Sequence, residues 1–549
     1  MKIFPFPRCV SFLSLLFFSV GAFAEQMPAH DEIDQIIQKM NFEEKVGQLL
    51  FVGFGGTEMD DTLASFFKQK KPGGAAFFSR NIKKLPQTLK LIRDVQALAP
   101  AGIPLFVSVD QEGANVVRLQ KYATVIPSNM AIGATRSEQL AFEAGKALGK
   151  DLHLMGFNMN LAPVLDVASN PQNPVIGIRA FSGNADLVAQ MGSAYVAGLQ
   201  SEGVSAVAKH FPGHGDTRTD SHFETPILNH DRARLNKVEL KPFKTVADNG
   251  IDAMMTAHIV LPQIAEKSDL PATISKNLLT GIVRKEWGYE GLVVTDGLEM
   301  HGIVSRYGSG EAAVRAIEAG ADMVLILWTV EKKNEVHNAL RKAVREKRIS
   351  EQRLHESLRR ILLVKKRRGI LKQKLFPVSQ TLSKLKKGKH RLVVQQIAQK
   401  ALTMVENPEQ VMPLSKTKKI LVASTEPTFM NTIAKSVPGT KIVRLRLGAS
   451  AKRKNTLAKQ IVASAANAEI LVLGLLNADY VHLAKEVRNA YPGKPIIVVS
   501  FGSPFLKAFL PKDIGYVCAY GFRRASEVAA AEVLLGTRQA EGRLPIVLD

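Results

Sequence analysis

The sequence predicts an α/β protein, with an N-terminal (β/α)8 barrel of the TIM type and a smaller C-terminal α/β sandwich domain. Three observations lead there. Eight short apolar runs alternate with helical patterns over roughly three hundred residues. Polar, titratable residues stand at the C-terminal ends of several of these runs. Three later continuous apolar runs, with helical patterns between them, read as buried parallel strands of a second domain.

Residues 1–24 read as a secretory signal. Lys2 and Arg8 supply the positive region, Val10 to Val20 the apolar core, and Ala22-Phe23-Ala24 the cleavage motif, so that Glu25 opens the mature chain. The apolar run is short of the ~20 residues of a membrane span, and an uncleaved anchor is the runner-up. The expected location is periplasmic or secreted. Cys9 falls within the signal, and only Cys518 remains beyond it, so no intramolecular disulfide can form.

The barrel is assigned to residues 25–372. Ile33, Ile36, Ile37, Met40 and Val46 recur at near-helical spacing, and Asn41 is placed to cap a helix. The first strand is expected within Gln48 to Phe54. The others are expected at Ala75 to Phe78, Leu105 to Val109, Asn158 to Pro163, Val204 to Lys209, Ala253 to His258, Leu292 to Asp296 and Met323 to Leu327. Helical patterns lie between them, among them Gln139 to Leu154, Leu187 to Glu202, Leu240 to Asn249 and Gly310 to Gly320. Ser309 is expected to cap the last of these. Leu354 to Arg368 is a basic amphipathic helix. Residues 373–387, with Pro377 and Ser379, read as a linker. Residues 388–549 form the second domain, with strands at Lys419 to Ala423, Ile470 to Gly474 and Ile496 to Ser500.

Lys and Arg number 73 against 50 Asp and Glu, a formal net charge of +23. Few aromatics interleave the basic residues, so no stacking platform for nucleic acid is evident, and nucleic acid is not expected as a partner. Electrostatic association with an anionic cell-wall polymer or membrane surface fits the charge better. A monomer is expected.

The densest chemistry lies in Lys209-His210-Phe211-Pro212-Gly213-His214-Gly215-Asp216-Thr217-Arg218-Thr219-Asp220-Ser221-His222, directly after a small-and-branched run. Gly213 and Gly215 call for a turning or closely approached backbone. In an extended chain residues two apart point the same way, so Asp220 can sit beside His222, fix its tautomer and favour its protonated form. Such a histidine can give a proton to a leaving group and take one from water.

This stretch resembles the signature K-H-F-P-G-H-G-D-T-x-x-D-S-H of the β-N-acetylglucosaminidases of glycoside hydrolase family 3 and matches every fixed position. The resemblance implies that His222 is the general acid/base and Asp220 its partner, while Lys209 and His210 bond sugar hydroxyls. Val294-Thr295-Asp296-Gly297-Leu298-Glu299-Met300 is similar to the family segment carrying the catalytic nucleophile, which implies that role for Asp296. An aspartate at a strand end followed by glycine can also approach an anomeric carbon on physical grounds. Glu299 is expected to face a basic neighbour. Asp110-Gln111-Glu112-Gly113-Ala114-Asn115-Val116-Val117-Arg118 resembles D-Q-E-G-G-R-V-x-R-L, implying that Asp110 binds sugar hydroxyls with Arg118 assisting. Ala114 and Asn115 depart from that pattern. Ile176-Gly177-Ile178-Arg179-Ala180-Phe181 resembles I-G-x-R-S-F, implying that Arg179 reaches the sugar or its acetamido group. His214 and Asp216 are read as loop-shaping, and His258 as a residue near the site. Gly542 to Ile546 resembles the closing segment of two-domain members.

The activity implied is a retaining exo-β-N-acetylglucosaminidase acting on peptidoglycan fragments or chitooligosaccharides, with no cofactor and no metal. Three alternatives stay open: a family 3 β-glucosidase-like hydrolase, an N-acetylglucosaminide phosphorylase, and a non-enzymatic wall-binding barrel. A metal hydrolase built on His210, His214, Asp216 and His222 is disfavoured, because their spacing fits no standard zinc arrangement.

Overall fold

The computed structural model describes residues 30–548 except Ala101, His222 and 387–389. The expected signal and His222 therefore lie outside the described residues. Eight parallel strands close into a barrel: β1 (Leu50–Gly53), β2 (Gly74–Phe77), β3 (Phe106–Val109), β4 (Met159–Asn160), β5 (Ser205–Phe211), β6 (Ala253–Thr256), β7 (Leu292–Gly297) and β8 (Met323–Ile326). Each pairs with its sequence neighbours and β8 closes on β1, so no edge is left exposed. Every strand residue except Asp296 is buried, because the core fills one face of the strands and the surrounding helices cover the other.

The helices that separate the strands start and stop where their chemistry directs. Asn41 accepts from the Glu44 amide while Glu44 reaches back to the Asn41 amide, a reciprocal capping box. Helix Glu138–Met155 begins on Ser137 and ends at Gly156, whose φ of 92° suits glycine. Two helical segments meet at the non-helical Gly308 (φ 67°, ψ 158°), one starting at His301 and one running on to Ala319, so a helix does begin near the expected Gly310. Ser309 is buried at that junction, and its hydroxyl donates to Leu298 O. Glycine allows the backbone conformation that separates the two segments.

Much of the span expected as a linker is helical. Val378–Lys386 is a helix whose Val378, Leu382 and Leu385 pack on the core, and Thr381 Oγ1 donates to Leu154 O at 3.2 Å. Pro377 and Ser379 sit at its start, where proline is tolerated. Beyond it lies a six-stranded sheet of β9 (Thr403–Glu406), β10 (Ile420–Ser424), β11 (Lys441–Arg444), β12 (Ile470–Leu475), β13 (Ile496–Ser500) and β14 (Gly515–Cys518). Their order is β9-β14-β13-β12-β10-β11, with only β9 antiparallel. Helices pack against this sheet, as expected, although β9, β11 and β14 were not legible. β11 is an edge strand with three of its four residues exposed, and β9 is partly exposed.

The second domain touches the barrel along one side. Ser128 Oγ donates to Tyr520 O at 2.5 Å and Arg523 Nη2 to Ala114 O at 3.1 Å. The Arg543 amide donates to Ala134 O at 2.9 Å and the Gly183 amide to Pro545 O at 3.0 Å. The closing segment thus folds back onto the barrel.

At the N-terminal end of the barrel, Lys365 is fully buried. Its Nζ donates to Gln48 Oε1 at 2.8 Å and lies 5.1 Å from the Phe106 ring centroid. Burial pushes its pKa down to about 7, because the charged form is poorly solvated there. A base depressed in the folded state stabilises fully only above its unfolded pKa, and that stability is lost as pH falls through the folded value. Lys365→Met is therefore expected to raise Tm at pH 6 while turnover is kept, with the gain shrinking toward pH 10. Scanning calorimetry across that range checks it, and a gain that does not depend on pH contradicts it.

Candidate active site

Titratable side chains collect at the C-terminal ends of the barrel strands. Asp110 follows β3, Asp166 follows the Val164 bridge beyond β4, Lys209 and His210 lie in β5, His258 follows β6, and Asp296 lies in β7. The two site strands share a distortion. On β5, Ala208 pairs with Met254 and Phe211 with Thr256, so one extra residue is taken up around Lys209 and His210. On β7, Val294 pairs with Met323 and Gly297 with Leu325, which takes up an extra residue around Thr295 and Asp296. Bulges of this kind re-aim a side chain without breaking the sheet.

Lys209 is the electrostatic centre. Its buried Nζ lies 2.8 Å from Asp110 Oδ1 and 2.7 Å from Glu112 Oε1. Arg179 meets Glu112 through Nε at 2.8 Å and Nη2 at 2.9 Å, and its Nη1 donates to Val175 O at 3.3 Å. Arg118 Nη2 stands 3.7 Å from Asp110 Oδ2. Burial by itself would raise the Glu112 carboxyl, but Arg179 and Lys209 hold it far below the usual carboxylate range. Burial would likewise lower Lys209, and Asp110 and Glu112 overcome this and raise it. Both groups therefore stay charged, and each compensates the other's desolvation. Arg179 thus acts on the site through Glu112, while Asp110 keeps a partly exposed carboxylate toward the barrel mouth.

Asp166, with no exposed surface, holds the start of the motif loop. Its Oδ2 lies 2.7 Å from His210 Nδ1, and its Oδ1 accepts from the His210 amide at 3.2 Å and the His214 amide at 2.6 Å. Burial alone would raise its pKa, but the His210 ring and the His214 amide lower it. A carboxylate on Nδ1 makes that nitrogen the donor and leaves Nε2 as the His210 atom to meet a hydroxyl.

The loop beyond is shaped as expected of His214 and Asp216. His214 Nδ1 lies 2.6 Å from Thr217 Oγ1 and its Nε2 3.1 Å from Ser221 Oγ. Asp216 Oδ2 lies 2.7 Å from His230 Nε2, and Asp216 Oδ1 accepts from Ser169 at 3.1 Å. A Cβ on Gly215 would fall 1.8 Å from Val167 O, and Gly213 has a φ of 132°, so both positions require glycine. Asp220 follows, partly buried, its carbonyl accepting from the Phe223 and Glu224 amides at 3.0 Å.

Asp216, His230 and Glu239 place one ligand atom each within 4.8 Å of one another. Arg234 Nη2 already stands 3.0 Å from Glu239 and 4.0 Å from Asp216. A guanidinium thus fills the role that a cation would have there.

Asp296 Oδ1 accepts from the Gly297 amide at 2.7 Å, and His258 Nε2 donates to Gly297 O at 3.0 Å. His258 therefore buttresses the residue next to Asp296. Glu299 faces basic neighbours as expected: its charge favours the protonated forms of Arg80 and Lys333 against the cost of their burial. It accepts from the amides of Leu327 (2.5 Å), Trp328 (2.9 Å) and Thr329 (3.2 Å) and so holds the loop after β8. Those amides precede helix Val330–Arg345, where a carboxylate is favoured.

Two residues of this constellation carry no role in the sequence reading. Glu112 sits inside the Asp110 motif, in the short hairpin strand Gln111–Gly113, and a carboxylate there does not announce burial between two cations. Asp166 follows an apolar run just as Asp110 and Asp296 do, and that regularity would have found it.

A closed parallel barrel with carboxylates, a lysine and histidines gathered at the strand ends is the architecture of a barrel glycoside hydrolase. Residues 41–364 match the N-terminal domain of glycosyl hydrolase family 3. Beta-hexosaminidase A of Pseudoalteromonas piscicida is 29% identical over 556 residues, covering 90% of this chain and 92% of that protein. A Beta-hexosaminidase of Nitrosospira multiformis is 34% identical over 277 residues, 49% of this chain and 78% of that one. The solved structure of a glycoside hydrolase family 3 beta-N-acetylglucosaminidase from Paenibacillus sp. str. FPU-7 superposes with a TM-score of 0.85 at 36% identity, over 93% of this chain and 99% of that one. The chain belongs to glycosyl hydrolase family 3.

Proposed function

We propose that the protein is a retaining exo-β-N-acetylglucosaminidase that releases N-acetylglucosamine from peptidoglycan fragments or chitooligosaccharides outside the cytoplasm. The observation that carries the reading is the joint placement of two motifs. The motif that begins at Lys209 runs from β5 into its loop, described as far as Ser221, on the same barrel face where bulged β7 presents Asp296. The relatives named as hexosaminidases support the sugar, and the signal-like N-terminus motivates the location.

In this reading Asp110, Lys209 and His210 bind the hydroxyls of the terminal sugar, and the Glu112–Arg179 pair keeps Lys209 charged and aimed. The Asp296 carboxylate attacks the anomeric carbon. As the bond to the leaving oxygen breaks, protonated His222 gives that oxygen its proton and Asp220 stabilises the imidazolium. Water then attacks the glycosyl ester, neutral His222 takes its proton, and Asp296 departs as carboxylate. Two inversions at one carbon give net retention.

The test is release of nitrophenol from the N-acetyl-β-glucosaminide and the β-glucoside, with and without a chelator. Hydrolysis of the former at least about a hundred-fold faster is expected, since a site built for one polar group discriminates strongly against its loss. It should not respond to chelator. Equal rates, or activity lost to chelator and restored by zinc, would refute the proposal.

A further inference from the structure

Trp328 leads off the loop after β8 at the barrel mouth and is 57% exposed, yet both its amide and its carbonyl are held. Its amide donates to Glu299 at 2.9 Å, and its carbonyl accepts from the buried Lys333 Nζ at 3.1 Å. Its ring lies beside that of Phe78, with centroids 6.0 Å apart and planes only 31° from parallel. The Arg80 guanidinium carbon is 4.5 Å from each centroid, a separation that places it on one side of the pair and not between them. Arg80 is itself pinned, donating to Phe54 O and Leu327 O at 2.8 Å. The two rings form an aromatic tile that shares one pinned cation.

Two features connect this tile to the site. Arg118, which stands 3.7 Å from Asp110, has its guanidinium carbon 5.9 Å from the Phe78 centroid. Glu299, which fixes the Trp328 amide, lies three residues after Asp296. The tile therefore begins where the residues for the terminal sugar end.

Resting on the activity proposed above, we infer that the Trp328–Phe78 tile is a leaving-group subsite that stacks the apolar face of the next pyranose ring. The enzyme is thereby specialised for oligosaccharides over simple glycosides. A pyranose offers a flat C–H face to an aromatic ring, and a platform immobilised before binding loses little entropy when the sugar arrives. A small alkyl leaving group cannot use it.

The test compares kcat/KM on N,N′-diacetylchitobiose and on methyl N-acetyl-β-glucosaminide for the full-length wild type, Trp328→Ala and Trp328→Phe. The ratio of the two should fall about ten-fold in Trp328→Ala, the scale of one lost stacking contact, and recover largely in Trp328→Phe. The chain has only two tryptophans, and the other, Trp287, packs edge-on against Phe211. Titrating chitobiose into Asp296→Asn protein should therefore change the tryptophan emission, and Trp328→Phe should abolish that response. An unchanged ratio, an equal loss on both substrates, or a response that survives Trp328→Phe overturns the subsite. A wild type that hydrolyses neither glycoside refutes the proposed activity, and with it the subsite.

Discussion

Asp296→Ala is expected to lower turnover of N-acetyl-β-glucosaminides by on the order of 10⁴-fold or more, with the fold intact. Removing a nucleophile deletes the covalent route altogether, and losses of this size follow loss of a single member of a catalytic unit. The structure explains why the fold should survive. Asp296 is the one residue of β7 that is not buried, and its Oδ1 accepts from the amide of the next residue. Lys209 and Glu112 are held by Asp110, Arg179 and each other. A fluorinated N-acetylglucosaminyl inhibitor should label the wild type on the peptide containing Asp296. Labelling of Asp110, Asp166 or Glu112 in its place would move the nucleophile to another strand. Loss of helical circular dichroism in the variant would require Asp296→Asn as the replacement probe.

The second large effect concerns His222. His222→Ala should slow glycosides with poor leaving groups by about 10²–10⁴-fold, the usual contribution of a general acid, and slow activated aryl glycosides far less in the glycosylation step. The next step still needs a base, so the glycosyl-enzyme should accumulate on activated substrates. Azide, which attacks without losing a proton, should restore their turnover. Asp220→Asn should act in the same direction and lower the apparent pKa of the acid, because the imidazolium loses an anionic neighbour. On the pH–rate profile the acid-dependent limb then falls at lower pH than in the wild type. Uniform slowing across leaving groups, with no response to azide, would place the acid/base elsewhere.

The two effects draw on different sources. Asp296 is positioned by a bulged strand. Asp220 belongs to a loop whose anchors, Asp166 on His210 and His214 and Asp216 on His230, lie before and after it.

The eight barrel strands were legible in the chain, each within a few residues, because a strand buried on both faces must be apolar throughout. The same holds for β10, β12 and β13. β9, β11 and β14 were not, since partly exposed edge strands and a short glycine-led one carry no such run. The chemistry at strand ends was legible for the complementary reason. A charged group directly after a buried run has no place in the core and must face the barrel mouth, as Asp110 and Asp296 do. Pairing could not be read in this way. That Lys209 bridges Asp110 and Glu112, that Arg179 spends itself on Glu112, and that Phe78 and Trp328 meet over Arg80 are contacts between residues 67 to 250 positions apart, which local pattern does not encode. The sequence by itself determined the barrel, its open face and the residue types available for catalysis. Only the tertiary structure decided which charges compensate one another, because that depends on the distances barrel closure imposes between strand ends.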